Sequence, residues 1–350
     1  MEHGKELQEL DSTSQDPEDR EEYDDFCPDH GPRIFTIATS HVTAAQPLTT
    51  PQSEPPPHDP DEASPSRRLG PAAQINVLAA GLHNLVRARA AGTHYSAKTL
   101  PHVPGSDGVG TRVPDGKLVY FSSMTPSGGS MTELINVPVG AATLVPDGAD
   151  PIQIAGLVNP VMASWMALAT RTSNLPPSFT AVIMGATTVS GTAAISVARA
   201  FGAGRVVGAA RPSERLSALP LDAVIELRDA QTDYASALDA DVILDFLYGP
   251  PVLRLFQVLK PTKPVQYVQI GTLADRTIDF PGDILRSKDI TIRGSGPGAW
   301  QMKQFAEQCP KVVEAIANGS IAPLNFRKVS LDDVEKIWDR KGEERIVVVP

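Results

Sequence analysis

From Thr180 to Gly294 the chain alternates short apolar runs with helically spaced segments, and nothing else in it restricts the fold so tightly. The runs are Ala181–Met184, Arg205–Ala209, Val224–Glu226, Asp241–Phe246, Val265–Ile270 and Ile290–Gly294. Helical spacing falls at Ser190–Phe201, Ser213–Ala218, around Tyr234 and at Pro251–Leu259. A strand that is apolar on both faces must be covered on both, and helical crossovers between such strands supply the cover. The pattern predicts an α/β fold built on a doubly wound parallel sheet.

The first of these strands runs into Gly185-Ala186-Thr187-Thr188-Val189-Ser190-Gly191 and then a helix. Glycines let the backbone turn tightly, and the free N–H groups at a helix start, with the helix dipole, face an anion such as a pyrophosphate. The loop departs from G-x-G-x-x-G because Thr188 holds the middle glycine's place, which narrows the room for the phosphates while offering a hydroxyl that can donate a hydrogen bond. The same turn can also join a strand to a helix with no ligand. The second strand ends at Arg211, twenty positions after Gly191, where a fold selecting NAD would carry Asp or Glu. An arginine suits a 2′-phosphate through forked, charge-assisted hydrogen bonds, so the cofactor expected is NADP(H), with Ser213 and Arg215 as helpers. Phe246, Ile270, Gly271 and Ser295 follow the carboxyl ends of later strands, where open α/β sheets bind ligands.

The flanking sequence reads differently. Residues 1–33 form an acidic head expected to be disordered, because such a segment cannot bury enough surface to offset its ordering entropy. A weak strand is expected at Ile34–Val42, and a proline-rich loop over residues 47–73. Strand Gln74–Ala79 and a helix at Asn84–Ala91 follow, then short strands between Gly/Pro turns, with Leu118–Phe121 buried. Residues 152–170 have a helical rhythm. Helices at Gln301–Ala317 and after Ser330, and a strand at Arg345–Val349, close the chain. The organisation expected is a mostly β domain over residues 34–170, a nucleotide-binding domain over 171–299, and a return to the first domain over 300–350.

Charge narrows the partners. The first 30 residues hold twelve acids and two bases, so they carry the whole formal charge of −10 and the rest is neutral. No basic excess attracts nucleic acid or an anionic membrane. No uninterrupted apolar stretch nears the roughly 20 residues of a membrane span, and no targeting signal is visible, so a cytoplasmic protein is expected. Two cysteines, Cys27 and Cys309, are too few for a disulfide framework.

With these pieces in view, the chain resembles the medium-chain dehydrogenase/reductase superfamily, in its zinc-less quinone oxidoreductase-like branch. The resemblance rests on Val77–Asn84, Gly92–Tyr95, Pro104–Gly110, Asn159-Pro160 with Ser164-Trp165, and Gly185–Gly191, and covers about residues 74–350. It implies a GroES-like β-rich domain with an inserted Rossmann domain, and hydride transfer from NADPH to a quinone or an α,β-unsaturated carbonyl. Zinc-dependent members carry a cysteine and a His-Glu pair where this chain has His83, then Ser106 and Asp107. Neither zinc site is expected, since three good ligands are needed. Tyr95 is placed by the resemblance in the substrate cleft and Asn84 or His83 near the nicotinamide, while His94 is a candidate proton shuttle because a histidine titrates near neutrality. The resemblance also implies a homodimer through the edge Ile290–Ile292. Left open are a biosynthetic enoyl reductase, a non-catalytic NADP(H)-binding protein, and a defective gene product.

Overall fold

A computed structural model describes residues 72–94, 102–123, 128–339 and 345–350. The acidic head, the segment 34–42, the proline-rich stretch as far as Pro71 and the candidate Tyr95 lie outside the described residues.

The first part contains β1 (Ala72–Leu82), α1 (Asn84–Ala90), β2 (Asp107–Arg112), β3 (Leu118–Ser122), β4 (Leu134–Pro138), β5 (Ala142–Leu144) and α2 (Pro151–Arg171). The second contains β6 (Thr180–Met184), α3 (Val189–Ala200), β7 (Arg205–Ala210), α4 (Glu214–Ser217), β8 (Ala223–Glu226), β9 (Val242–Asp245), α5 (Pro250–Val258), β10 (Val265–Gln269), α6 (Gly282–Ser287) and β11 (Ile290–Gly294). The chain then gives α7 (Met302–Ala317), β12 (Phe326–Ser330) and β13 (Arg345–Val349).

Two sheets result. One is six-stranded and parallel, in the order β11-β10-β9-β6-β7-β8. The chain winds outward from β6 to β8, then restarts on the other side of β6 with β9, so the strand order reverses between β6 and β9. Successive residues feed opposite faces, as the pleat requires. Ala181 and Ile183 join one hydrophobic cluster, while Val182 and Met184 join another with α5. The other sheet is mixed, in the order β12-β13-β1-β2-β3-β5. On one side of β1, β4 pairs with Ala72–Asn76 and β13 with Ala80–Leu82.

Helix α2 joins the two. Asp150 caps it by accepting from Ile152 N–H at 2.8 Å, and Pro151 sits at the first turn, where a missing N–H costs nothing. By length and composition its 21 residues could cross a membrane, but 72% of its most apolar window is buried inside the fold. It packs against α3, α7, β1 and β2, and its side chains share a cluster with Val109 of the mixed sheet and Leu244 of the parallel one.

Two expectations need correction. The segment after Ser330 is not an α-helix but two 3₁₀ turns, Leu331–Asp333 and Glu335–Ile337. Leu331, Val334 and Ile337 are buried together, and a three-residue spacing matches the 3₁₀ repeat. Near Tyr234 there is only a 3₁₀ turn, Ala235–Ala237, fixed by the Tyr234 hydroxyl donating to the Pro251 carbonyl at 2.8 Å. Strand β12 and helix α6 are additions to the sequence reading.

Candidate functional site

The dinucleotide turn forms where β6 meets α3. Gly185 has φ of +91°, a conformation side chains rarely adopt. At Gly191 an added Cβ would lie 2.1 Å from the Gly185 carbonyl oxygen, so only glycine lets the helix start this close to the strand. Ala186 is buried beneath the turn, and Thr187, Val189 and Ser190 are half-buried around it. Thr188 differs from expectation. Its hydroxyl donates to the Gly185 carbonyl at 2.8 Å and accepts from Gly191 N–H at 2.9 Å, making it the N-cap of α3. A side-chain oxygen at the cap position satisfies a helix donor more readily than it reaches outward. The Gly191 N–H is thus consumed internally.

The turn continues across the carboxyl ends of the neighbouring strands. Phe246, buried after β9, lies 3.4 Å from where a Gly185 Cβ would stand. The Asp245 carbonyl accepts from Ile270 and Gly271 N–H at 2.7 and 3.0 Å, and the Gln269 carbonyl accepts from Ser295 N–H at 2.8 Å. These bonds fix the loops after β10 and β11 beside that after β9. Fully buried Asp245 holds the β9 loop, its carboxylate accepting from Leu247 N–H at 2.8 Å, Tyr248 N–H at 3.0 Å and the Tyr267 hydroxyl at 2.5 Å. Burial pushes this carboxyl up to about 6, against the lowering effect of its donors. At the end of β7, Arg211 and Ser213 are exposed and Arg215 is half-buried. The Ser213 hydroxyl caps α4 by accepting from Leu216 N–H at 3.2 Å.

Where the loops after β10 and β11 face β2 and β3, a cavity of about 830 Å³ opens. Ile270, Gly271 and Ser295 line one side, and Thr93, His94, Ser106, Asp107 and Tyr120 the other. Trp300 and Phe305, stacked with centroids 5.8 Å apart, form an aromatic wall. A second hollow of about 570 Å³ lies near Lys260 and Lys288, before β10 and β11, at the sheet end that open α/β folds do not use for ligands.

A polar cluster is built into the mixed-sheet side of the cavity. His83, the residue before α1, places Nε2 3.0 Å from Asp107 Oδ1 and 3.2 Å from Ser106 Oγ. Ser106 Oγ also donates to Asp107 Oδ1 at 3.0 Å, and the Tyr120 hydroxyl donates to Oδ2 at 3.3 Å. Burial is the largest influence on His83 and lowers its pKa despite Asp107, so the ring is neutral at physiological pH. A neutral ring against a carboxylate oxygen carries its proton on Nε2, which leaves Nδ1 a buried acceptor without a partner among the described residues. Burial, with Asp107 adding, raises Tyr120 well above its ordinary value. Arg345 is lowered to about 10 by burial, with Asp107 opposing.

The structure therefore brings His83 and His94 to the same cavity, His83 through Asp107, and leaves Asn84 exposed at the start of α1. Burial and Arg89 lower His94. Sequence reasoning noted Ser106 and Asp107 only as replacements for metal ligands, and did not single out Tyr120 or Trp300. Among the described residues no three His, Cys, Asp or Glu side chains converge as a metal site.

No protein-family model matches the chain. A probable NADPH-dependent quinone reductase of Emericella nidulans, tdiC, is 32% identical over 329 residues, covering 79% of this chain and 92% of that protein. The quinone oxidoreductase of Thermus thermophilus, solved alone and with NADPH, superposes with a TM-score of 0.64 at 23% identity, covering 80% of this chain and 91% of its own. The Escherichia coli quinone oxidoreductase in complex with NADPH gives 0.64 at 16% identity, with coverage of 80% and 91%. At these identities the two solved structures establish the shared fold.

Proposed function

Because the chain belongs to the quinone oxidoreductase-like branch of the medium-chain dehydrogenase/reductase superfamily, we propose that it is an NADPH-dependent oxidoreductase that reduces a quinone. The observation that carries this reading is the continuity of the site. The Gly185–Gly191 turn passes through Phe246 to Ile270 and Gly271, and these line a cavity large enough for a drug-sized ligand.

The residues fit the cofactor. The start of α3 offers N–H groups and a positive dipole end to the pyrophosphate, with Val189 and Ser190 in its first turn. Arg211, helped by Ser213 and Arg215, takes the 2′-phosphate. Ile270, Gly271 and Ser295 bound the nicotinamide end. When bound, NADPH supplies a hydride, and a proton from solvent completes the hydroquinone. His94, its pKa lowered chiefly by burial, donates a hydrogen bond to the oxygen on which charge develops, and Tyr95 is a further candidate donor to that oxygen. Of Asn84 and His83, the buried histidine fits the site. The reading is metal-independent: His83 and Asp107 are committed to each other, and buried Arg345 sets a positive charge against any cation there. An α,β-unsaturated carbonyl is the second acceptor class. The cytosol is the expected compartment. Pairing of the exposed edge strand β11 with a second copy is the expected dimer contact.

Titration with NADPH and NADH, followed by reduced-nicotinamide fluorescence, tests the cofactor assignment. The unaltered protein should prefer NADPH by roughly tenfold to a hundredfold, the range of a charge-assisted hydrogen bond, and Arg211→Ala should erase the preference. A preference that survives the substitution removes Arg211 from the site. NADPH binding without oxidation by any quinone or enone would make the protein a non-catalytic binder.

A further inference from the structure

The cavity wall that faces the strand ends carries a carboxylate whose neighbours all donate to it. Asp107 is 3% exposed and lines the cavity. Each hydrogen bond its side chain makes among the described residues is one it accepts, from His83, Ser106 and Tyr120. An ionised carboxylate has about four lone-pair sites and no proton to give. Oδ1 carries two of these contacts, at 3.0 Å each, while Oδ2 carries only that of Tyr120, at 3.3 Å. The remaining acceptor capacity is therefore on Oδ2.

The cluster is poorly suited to supply a proton. Its imidazole is neutral, and its phenol holds its proton more tightly than usual. A quinone carbonyl turned toward Asp107 would set lone pairs against a carboxylate, and the oxyanion that forms on reduction would be repelled further. The reacting carbonyl must point elsewhere, and what meets Asp107 must be a donor. The same cavity is lined by the stacked aromatic pair Trp300 and Phe305.

We propose that Asp107 is a specificity-determining residue that accepts a hydrogen bond from a hydroxyl on the acceptor, so that the preferred substrates are aromatic quinones bearing a phenolic hydroxyl remote from the reacting carbonyl. This rests on the reductase reading above and names the substrate class within it. His83 and Ser106 act through Asp107 as positioning residues, fixing Oδ1 and turning Oδ2 to the ligand.

The test compares three substrates at saturating NADPH: a naphthoquinone with one hydroxyl on its benzenoid ring, not adjacent to the ring fusion, its methyl ether, and the parent naphthoquinone. kcat/KM for the phenol should exceed both others by about tenfold or more, as a hydrogen bond to a charged group allows. The parent compound separates loss of the donor from the bulk of the ether methyl. In Asp107→Asn the advantage should fall to near unity, and NADPH fluorescence titration shows whether that variant is folded. Equal turnover of all three by the unaltered protein overturns the proposal and leaves the quinone reductase reading standing. A phenol preference unchanged in a folded Asp107→Asn overturns the assignment to Asp107. If NADPH binds but none of the three is reduced, the reductase reading fails and takes the proposal with it. Should Asp107→Asn not fold, the three-substrate comparison is repeated on His83→Leu, whose side chain cannot donate to Oδ1 and in which the phenol's advantage should fall severalfold; an unchanged advantage there overturns the proposal.

Discussion

Gly191→Ala tests the dinucleotide turn at its tightest point. A Cβ there would stand 2.1 Å from the Gly185 carbonyl oxygen and 2.9 Å from Ala186 Cα, against 3.4 Å for ordinary contact. Both neighbours are backbone, so no side chain can swing aside, and α3 must retreat by about 1.3 Å. Overpacking of this kind costs about 1–3 kcal/mol. Alanine returns up to about 1 kcal/mol of helix propensity, leaving a net loss of up to about 2 kcal/mol. The retreat also carries the Val189 and Ser190 N–H groups away from the position of a phosphate. Losing the alignment of one charge-assisted bond weakens binding by about tenfold or more. Differential scanning calorimetry and a NADPH fluorescence titration on the same samples read the two effects. Gly140→Ala is the control, because nothing lies within 4 Å of a Cβ there. The reasoning is refuted if Gly191→Ala matches the unaltered protein in both measurements. A lowered melting temperature with unchanged NADPH affinity would keep the packing account and remove the turn from the cofactor site.

Two further substitutions probe the scaffold. Asp245 titrates at about 6 in the fold, above an ordinary value of 3.8. A carboxyl raised in this way stabilises the fold fully below the unfolded value, and that contribution is lost as pH rises through the folded one. The loss amounts to about 3 kcal/mol across roughly pH 4 to 6. The stability difference between Asp245→Asn and the unaltered protein, from urea unfolding at several pH values, should shift toward the variant by about that amount over this window. A flat difference contradicts the account. Trp165 packs edge-on against Phe201 with centroids 4.9 Å apart and donates from Nε1 to Gln308 Oε1 at 3.1 Å, tying α2 to the end of α3 and to α7. Trp165→Ala should cost about 3–5 kcal/mol in chemical denaturation, and a cost under about 1 kcal/mol would mean this contact does not hold the helices together.

Much of the parallel sheet was legible because β6, β7, β9 and β10 are covered on both faces and so are written as apolar runs with turn residues between them. Strand β12 was not, because Phe-Arg-Lys-Val-Ser buries only Val329. Six-residue α6 buries only Ile284, too little for a helical rhythm to register. The glycines of the β6–α3 turn were readable because each answers a local backbone demand. The role of Thr188 was not legible because its hydroxyl can point outward or cap the helix, and only the geometry of α3 decides. The cluster around Asp107 had no local signature. His83 is 24 residues away, and Tyr120 reaches Oδ2 only because antiparallel β2 and β3 set Val109 opposite Tyr120 and Asp107 opposite Ser122.

The pairing of β13 with β1 bears on how the protein is made. Strands β6 to β11 lie within one stretch of chain, so the parallel sheet is complete as soon as Gly294 has been synthesised. The mixed sheet has no such independence. Ala80 is matched to Val348, and β13 lies between β1 and β12, so those positions stay vacant until the last of these strands has left the ribosome. Contacts this distant in sequence form late because loop closure must come first. The edge of β1 at Ala80–Leu82, next to His83, is thus the last part of the mixed sheet to be paired in a nascent chain, after the nucleotide-binding turn already exists.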